Sequence, residues 1–68
     1  MLEAINEKNN VKLVVEDAGE RLGYYIYVFD LYSKKSKADH LCDNLQQVYC
    51  IAKEDYDILP SDFKYISN

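Results

Sequence analysis

The residues best suited to chemistry lie side by side in the run Asp39-His40-Leu41-Cys42-Asp43. A metal centre needs three or four converging donors with supporting hydrogen bonds. Alternation along a strand leaves only His40 and Cys42 on one face, and a second pair of ligands is not evident. A cysteine nucleophile with a histidine base is the other chemistry, since a helix N-terminus lowers a thiol pKa. No third residue is identified to orient the base.

We therefore expect no catalytic residue, no metal and no cofactor, and we predict that the protein is not an enzyme. Cys42 is interpreted as a small apolar residue at the helix entrance. His40 is interpreted as a surface or partly packed residue whose charge responds near neutral pH. Cys50 is interpreted as half exposed, and a role for it at a contact with another molecule stays open.

Length and composition narrow the class of protein. With 68 residues, the chain is expected to form a single domain over residues 1–68. The 49% hydrophobic content and seven tyrosines exclude a disordered chain. A net charge of −4 disfavours nonspecific binding to nucleic acid or to anionic membranes. No signal-peptide pattern or long apolar span is seen, so we expect a cytoplasmic protein without a membrane partner.

The cysteines fit a reducing compartment. Cys42 and Cys50 would lie about 12 Å apart if both were helical, which exceeds the limit of about 7 Å for a disulfide. A CxxC pair is absent from the sequence, so the usual zinc and redox signatures are missing.

An aromatic strand, from about Arg21 to Tyr32, is the strongest structural signal. Its apolar residues occupy both faces: Tyr25, Tyr27, Phe29 and Leu31 point one way, and Tyr24, Ile26 and Val28 point the other. Such a strand is normally covered on both sides. A chain of 68 residues has room for about one covering helix, so another chain is expected on the second face.

The remaining elements complete a small α+β fold. Residues 11–16 form a strand that pairs with the aromatic strand through a turn at Gly19, and residues 37–41 form a short third strand. The sequence thus predicts a small antiparallel β-β-β meander with one amphipathic helix packed on one face and a short C-terminal turn or strand. Residues 1–9 give a weak signal: Leu2 and Ile5 could start a short helix, and mobility of this segment stays open.

The helix is predicted from a stripe of apolar residues at offsets 0, 3, 4, 7 and 11, namely Leu45, Val48, Tyr49, Ala52 and Tyr56. Asp43 is the expected N-cap, with Gln46 completing a capping box. Asp57 is the expected last residue, because the following segment ends in Pro60. A single helical turn should follow at residues 60–63, with Phe63 anchored in the core.

The pattern over residues 11–56 resembles the HicB-type antitoxin domain. The segments that carry the resemblance are Val11-Lys12-Leu13-Val14-Val15, Gly23-Tyr24-Tyr25-Ile26-Tyr27-Val28, Asp30-Leu31, Asp43-Asn44-Leu45, Ala52 and Lys53. The family's Pro-Gly turn after Asp-Leu is replaced here by Tyr32-Ser33-Lys34. The resemblance implies a partial ribonuclease-H-like β-β-β-α fold and an antitoxin-like role.

The aromatic face is the main functional candidate, because tyrosine suits surfaces that are alternately wet and buried. We predict a protein–protein interaction domain that binds itself as a homodimer, or another protein, through Tyr25, Tyr27, Phe29 and Leu31. The competing interpretation is that residues 1–9 and the tail around Tyr65 fold over this face.

Two further classes stay open. An acidic inhibitor or antitoxin would bind a basic toxin or nuclease through Glu54, Asp55, Asp57 and Asp62. A nucleic-acid binder would use the lysine cluster of Lys34, Lys35 and Lys37 beside Tyr32. The acidic balance of the chain argues against the second class, and we expect no nucleic-acid partner.

Overall fold

Strands form where buried and exposed residues alternate, and the helix forms where apolar residues recur every three or four positions. The structure is a computed structural model that describes residues 1–19, 22–32 and 36–66. In chain order its elements are β1 (Leu2–Asn6), β2 (Val11–Asp17), β3 (Tyr24–Asp30), β4 (Ser36–Cys42), α1 (Leu45–Tyr56), a 3-10 turn (Pro60–Asp62) and β5 (Lys64–Tyr65).

In the described part of the chain, the strands build one antiparallel sheet of five strands in the order β4-β3-β2-β1-β5. Strands β1 to β4 follow one another as a meander, and β5 returns after α1 to pair with β1. The predicted α+β class, with one helix on an antiparallel sheet, is confirmed. The predicted helical start at Leu2 and Ile5 is wrong, because residues 2–6 form β1, in which Ala4 pairs with Leu13 of β2.

One face of the sheet, the covered face, packs against α1. Burial alternates along β2, where Val11, Leu13 and Val15 are buried, and this confirms the predicted strand face. The buried core consists of Ala4, Val11, Leu13, Val15, Ile26, Val28, Cys42, Val48, Ala52 and Ile58. The predicted helix stripe is confirmed too, since Val48 and Ala52 are buried and the other stripe residues pack against this core.

The helix begins one residue later than predicted. Asn44, in an extended conformation, is the N-cap, and its Oδ1 accepts the N–H of Gln47 at 2.9 Å. The side chain of Gln47 in turn accepts the N–H of Asp43 at 2.8 Å. The prediction of Asp43 as N-cap with Gln46 is therefore wrong, although the same type of reciprocal cap stabilises this end.

The last helical residue is Tyr56, and Asp57, the predicted end of the helix, is its C-cap; Asn6 at the end of β1 and Asn9 in the β1–β2 turn complete this terminus. Asp57 adopts a left-handed conformation with φ of 55°, and its N–H donates to the carbonyl of Lys53 at 3.1 Å. The carbonyl of Tyr56 accepts the side-chain amides of Asn6 at 3.0 Å and Asn9 at 3.3 Å. These bonds satisfy a carbonyl that the helix itself leaves open.

The segment after the helix is tied to the core by two apolar side chains. Ile58 is fully buried, and the ring of Phe63 lies 5.5 Å from the ring of Tyr49, which confirms the predicted anchor. Between them the predicted helical turn is present, closed by the Asp62 carboxylate accepting the N–H of Leu59 at 2.9 Å.

Gly23 fixes how β3 begins beside the end of β4. Its φ is 87°, in the region that favours glycine, and a Cβ at this position would lie 2.0 Å from the carbonyl oxygen of Cys42. Gly19, in the same β2–β3 loop, has a φ of 105°, but a Cβ there would meet no other atom within 4 Å. Both glycines therefore have a positive φ that other residues rarely adopt, but of the two only Gly23 also lies so close to another part of the backbone that a side chain would not fit.

Gly23→Ala is expected to lower the free energy of unfolding by about 3 kcal/mol or more, because positive φ and backbone overlap act together. Gly19→Ala, the matched control, should cost only about 1 kcal/mol, from backbone conformation alone. Urea unfolding followed by circular dichroism measures both. Equal losses in the two variants would contradict the close approach of Gly23 to Cys42.

Candidate functional site

The sheet face opposite α1, the open face, carries the predicted aromatic residues. Cross-strand register places on it Glu3 and Ile5 of β1, Lys12, Val14 and Glu16 of β2, Tyr25, Tyr27 and Phe29 of β3, Asp39 and Leu41 of β4, and Lys64 of β5. The predicted division of β3 into two faces is confirmed. The structure also shows which face α1 covers, a question that the sequence left open: Ile26 and Val28 are buried under α1, and the aromatic residues point away from it.

The centre of the open face is apolar and ordered by ring contacts. Tyr25 and Tyr27 have ring centroids 6.0 Å apart and nearly parallel planes. The ammonium group of Lys12 lies 5.3 Å from the ring centroid of Phe29, at a distance where a cation and an aromatic face attract each other. Val14 is the direct cross-strand neighbour of Tyr27. Each aromatic residue of the open face on β3 therefore has a direct cross-strand neighbour on β2.

Several apolar side chains of the open face remain in contact with solvent. Leu41 is 59% exposed, Ile5 is 45% exposed and Tyr25 is 37% exposed, while Tyr27 and Phe29 are half-buried. Ile5, Val14 and Leu41 were not predicted as members of this surface. Their membership follows from the register between strands, which a pattern within one strand does not contain.

The first and last described strands lie at one edge of the sheet. β1 and β5 form its edge on the side away from β4, so residues 2–6 and Tyr65 extend the sheet in its plane. In the described residues, these segments therefore do not fold over the aromatic residues, in contrast to the competing interpretation from the sequence. Leu31, the fourth predicted interface residue, lies beyond the end of β3 and is half-buried, and its N–H donates to the carbonyl of Asn10 at 3.1 Å.

Charged groups surround the apolar centre. Glu16 pairs across the strands with Tyr25, and Asp39 pairs with Tyr27 on its other side. Partial desolvation, followed by the negative charge of Glu16, raises the pKa of the Tyr27 hydroxyl above its ordinary value. The Tyr27 hydroxyl therefore stays protonated throughout the physiological pH range and can donate a hydrogen bond.

His40 and Cys42 share the covered face, as the alternation predicted, but they do not form a reactive pair. Cys42 is fully buried at the end of β4 rather than at the start of the helix, and burial raises its thiol pKa. His40 instead shares a hydrogen bond with the hydroxyl of Tyr56, with Nε2 and the oxygen 3.0 Å apart. The histidine thus links the edge strand β4 to the end of α1.

An open groove of about 330 Å³ lies beside this link, between the end of α1 and the covered face. Its lining is formed by Asn9, Val11, Val28, Ala38, Asp55 and Tyr56. Among these described lining residues there is no converging nucleophile and base. Within the described residues, no group of three or more histidine, cysteine or acidic side chains could hold a metal ion.

The predicted acidic patch lies around the end of α1. Glu54, Asp55, Asp57 and Asp62 are all exposed, and the carboxylate of Asp62 closes the 3-10 turn. Lys34 and Lys35 of the predicted lysine cluster lie outside the described residues, and for Lys37 only the backbone, as part of β4, is described. In the part of the chain that the structure describes, no helix is long and apolar enough to cross a membrane.

Alkylation should distinguish the two free cysteines, because Cys50 is exposed and Cys42 is buried. With iodoacetamide at mildly alkaline pH, Cys50 is expected to react at least about tenfold faster, since only an accessible thiolate is a nucleophile. The raised pKa of Cys42 means that its reactivity increases only at higher pH than usual. Peptide mass spectrometry measures both rates, with Cys50→Ser as the control; faster modification of Cys42 would reopen the nucleophile hypothesis.

Comparison with known proteins identifies no relative of this chain. No protein-family model, curated protein or solved structure matches the chain. The resemblance to the HicB-type antitoxin domain is untested by these comparisons and stays a prediction.

Proposed function

We propose that this chain is a small, non-enzymatic protein–protein interaction domain that forms a homodimer through its open face. The observation that carries the proposal is the position of Tyr25, Tyr27 and Phe29 on the side of the sheet opposite the only described α-helix. Leaving this apolar surface in water is unfavourable, and burying it against a second surface releases that cost. The two free cysteines support a reducing compartment, such as the cytoplasm.

The charges of the open face favour a protein partner over a nucleic acid. Open sheet faces with aromatic residues stack nucleotide bases in other proteins, but they combine these rings with positive charge that attracts phosphate. Here Glu3, Glu16 and Asp39 lie among the rings and would repel a phosphate backbone. Lys12 and Lys64 leave the face close to neutral, which suits a protein surface.

A second copy is a suitable partner because the face carries both signs of charge around an apolar centre. With strands about 4.8 Å apart and a rise of about 3.4 Å per residue, the open face measures roughly 400 Å² in projection. Two such faces together bury less than the roughly 1,200 Å² of a standard interface, so the dimer should be weak and should dissociate on dilution.

Tyr27→Lys is expected to weaken self-association by at least about tenfold, because it removes an aromatic side chain from the centre of the interface and adds a charge. Light scattering across a dilution series gives the mass at each concentration. Phe29→Lys should act in the same direction.

The matched control is Tyr65→Lys, which makes the same change at an exposed tyrosine of β5 whose register partner Leu2 lies on the covered face. This variant should keep the dissociation constant of the wild type. A wild-type protein that stays monomeric at all concentrations would overturn the homodimer. Equal effects of Tyr27→Lys and Tyr65→Lys would remove the open face from the interface.

An acidic inhibitor or antitoxin-like protein is the second candidate, and Asp57 is the observation that favours it. Its left-handed backbone suits glycine, and its carboxylate lies at the negative end of the helix dipole. Both effects reduce stability at a position that is exposed. A basic toxin or nuclease that binds Glu54, Asp55 and Asp57 would offset this cost.

Asp57→Gly is expected to increase the free energy of unfolding by about 1 kcal/mol, because it relieves both the backbone conformation and the dipole interaction. Asp57→Asn removes the charge alone and should stabilise by about half as much. Thermal and urea unfolding measure these gains, and a loss of stability would contradict the strain assigned to this position.

The same variants test the acidic partner. The first step is to identify basic proteins that bind to the immobilised wild-type protein. These proteins should elute at a lower salt concentration from an immobilised double variant that carries Asp55→Asn and Asp57→Asn. Glu7→Gln combined with Asp43→Asn, which removes two exposed charges elsewhere, is the control. Identical elution from all three proteins would reject the second candidate.

A further inference from the structure

On the open face, β2 and β3 form three cross-strand pairs, with the apolar centre in the middle. In order along the strands these are Glu16 with Tyr25, Val14 with Tyr27, and Lys12 with Phe29. Each pair contains one aromatic residue on β3. On β2 the two outer positions carry opposite charges, and the middle position is apolar. On the two sides of the central pair, the charges on β2 are therefore opposite in sign, whereas both positions on β3 carry an aromatic ring.

This pattern specifies how two copies fit together. A two-fold axis that runs along the central pair, perpendicular to the strands, turns one copy over and reverses its strand direction. The outer pairs are then exchanged, so that Glu16 of each copy faces Lys12 of the other. Tyr25 faces Phe29 of the other copy, and the central residues Tyr27 and Val14 meet their own counterparts.

We infer that the homodimer is an antiparallel face-to-face sandwich whose register is fixed by two reciprocal Lys12–Glu16 ion pairs between copies. The inference deepens the proposed homodimer and rests on it. A two-fold axis parallel to the strands, between β2 and β3, would place Glu16 against Tyr25 and Lys12 against Phe29. That arrangement forms no pair of opposite charges at the centre.

The flanking charges are compatible with the inferred axis. It brings Asp39, Glu3 and Lys64 each near the same residue of the other copy, but Asp39 is exposed at the edge strand, where salt screens repulsion. Glu3 has Lys64 as its cross-strand neighbour, which offsets its charge. The attractive pairs lie beside the apolar centre, where less water remains and charges interact more strongly.

The edge strand is less suited to joining two copies. β4 carries a bulge where its pairing with β3 shifts between Val28 and Phe29, and bulged edges pair poorly with other chains. β5, at the opposite edge, has only two residues in the sheet. The open face therefore offers a larger and more regular surface than either edge.

Charge reversal in mixed samples tests the register. Lys12→Glu alone and Glu16→Lys alone should each weaken the homodimer at least about tenfold, since each places two like-charged pairs in the interface. In an equimolar mixture of the two variants, the heterodimer restores both opposite-charge pairs. The dissociation constant of the heterodimer should return to within about threefold of the wild-type value. The double variant, which carries Lys12→Glu and Glu16→Lys in one chain, should do the same as a homodimer.

A cross-link in the wild-type protein tests the same contact without relying on the folding of any variant. Lys12 and Glu16 lie four residues apart on one extended strand, about 14 Å, so a zero-length carbodiimide cannot join them within one chain. The cross-linking is done in a mixture of ¹⁴N- and ¹⁵N-labelled protein. At protein concentrations above the dissociation constant, we expect a Lys12–Glu16 cross-link that joins a ¹⁴N peptide to a ¹⁵N peptide. This cross-link should disappear when the protein is diluted.

The outcomes separate this inference from the homodimer itself. A wild-type dimer with no Lys12–Glu16 link, or variants whose mixture associates no better than either alone, would overturn the register and leave the homodimer standing. A monomeric wild type would overturn both. Restoration in the mixture together with the mixed-isotope link would support the two-fold arrangement against any other use of the open face.

Discussion

The structure depends on one constraint: β3 has apolar residues on both of its faces, and the chain has one described α-helix with which to cover it. The helix takes the face with Ile26 and Val28, because these branched side chains pack densely against Val48 and Ala52. The other face keeps the tyrosines, whose hydroxyls tolerate water better than aliphatic side chains do. The choice of which face to bury thus follows from side-chain chemistry, and it leaves the aromatic side chains on the open face, which the proposed homodimer would bury.

The rest of the fold supports this arrangement by holding a single short helix in place. One end of α1 is closed by Asn44 and Gln47, and the other receives side-chain hydrogen bonds from Asn6 at the end of β1 and Asn9 of the β1–β2 turn. Isolated helices of this length are marginal in water, so its stability comes from these caps and from packing on the sheet. A chain this small buries only about 60% of its unfolded surface, and association would add burial that the monomer lacks.

Local patterns in the sequence predicted most of these elements. Val11, Leu13 and Val15 define β2 by alternation, and the helix stripe is explicit in its spacing. The strand β1 was missed because Ala4 and Asn6 have weak strand propensity, and its stability comes from pairing with β2 and the distant β5. The N-cap was misplaced because Asp43 and Asn44 are both good caps, and packing rather than propensity selects between them. Burial of Ile58 likewise depends on the path taken after the helix.

The candidate site was predicted only as far as one strand defines it. The alternation of Tyr25, Tyr27 and Phe29 is visible in the sequence, but their neighbours Lys12, Val14 and Glu16 join them only through the register of the hairpin. This register is what converts an apolar stripe into a surface with a direction. Aromatic rings supply contact area with little dependence on orientation, whereas two opposite charges on either side of Val14 favour one orientation over the others. In the proposed homodimer, affinity and specificity therefore come from different strands, with β3 contributing the contact area and β2 the register.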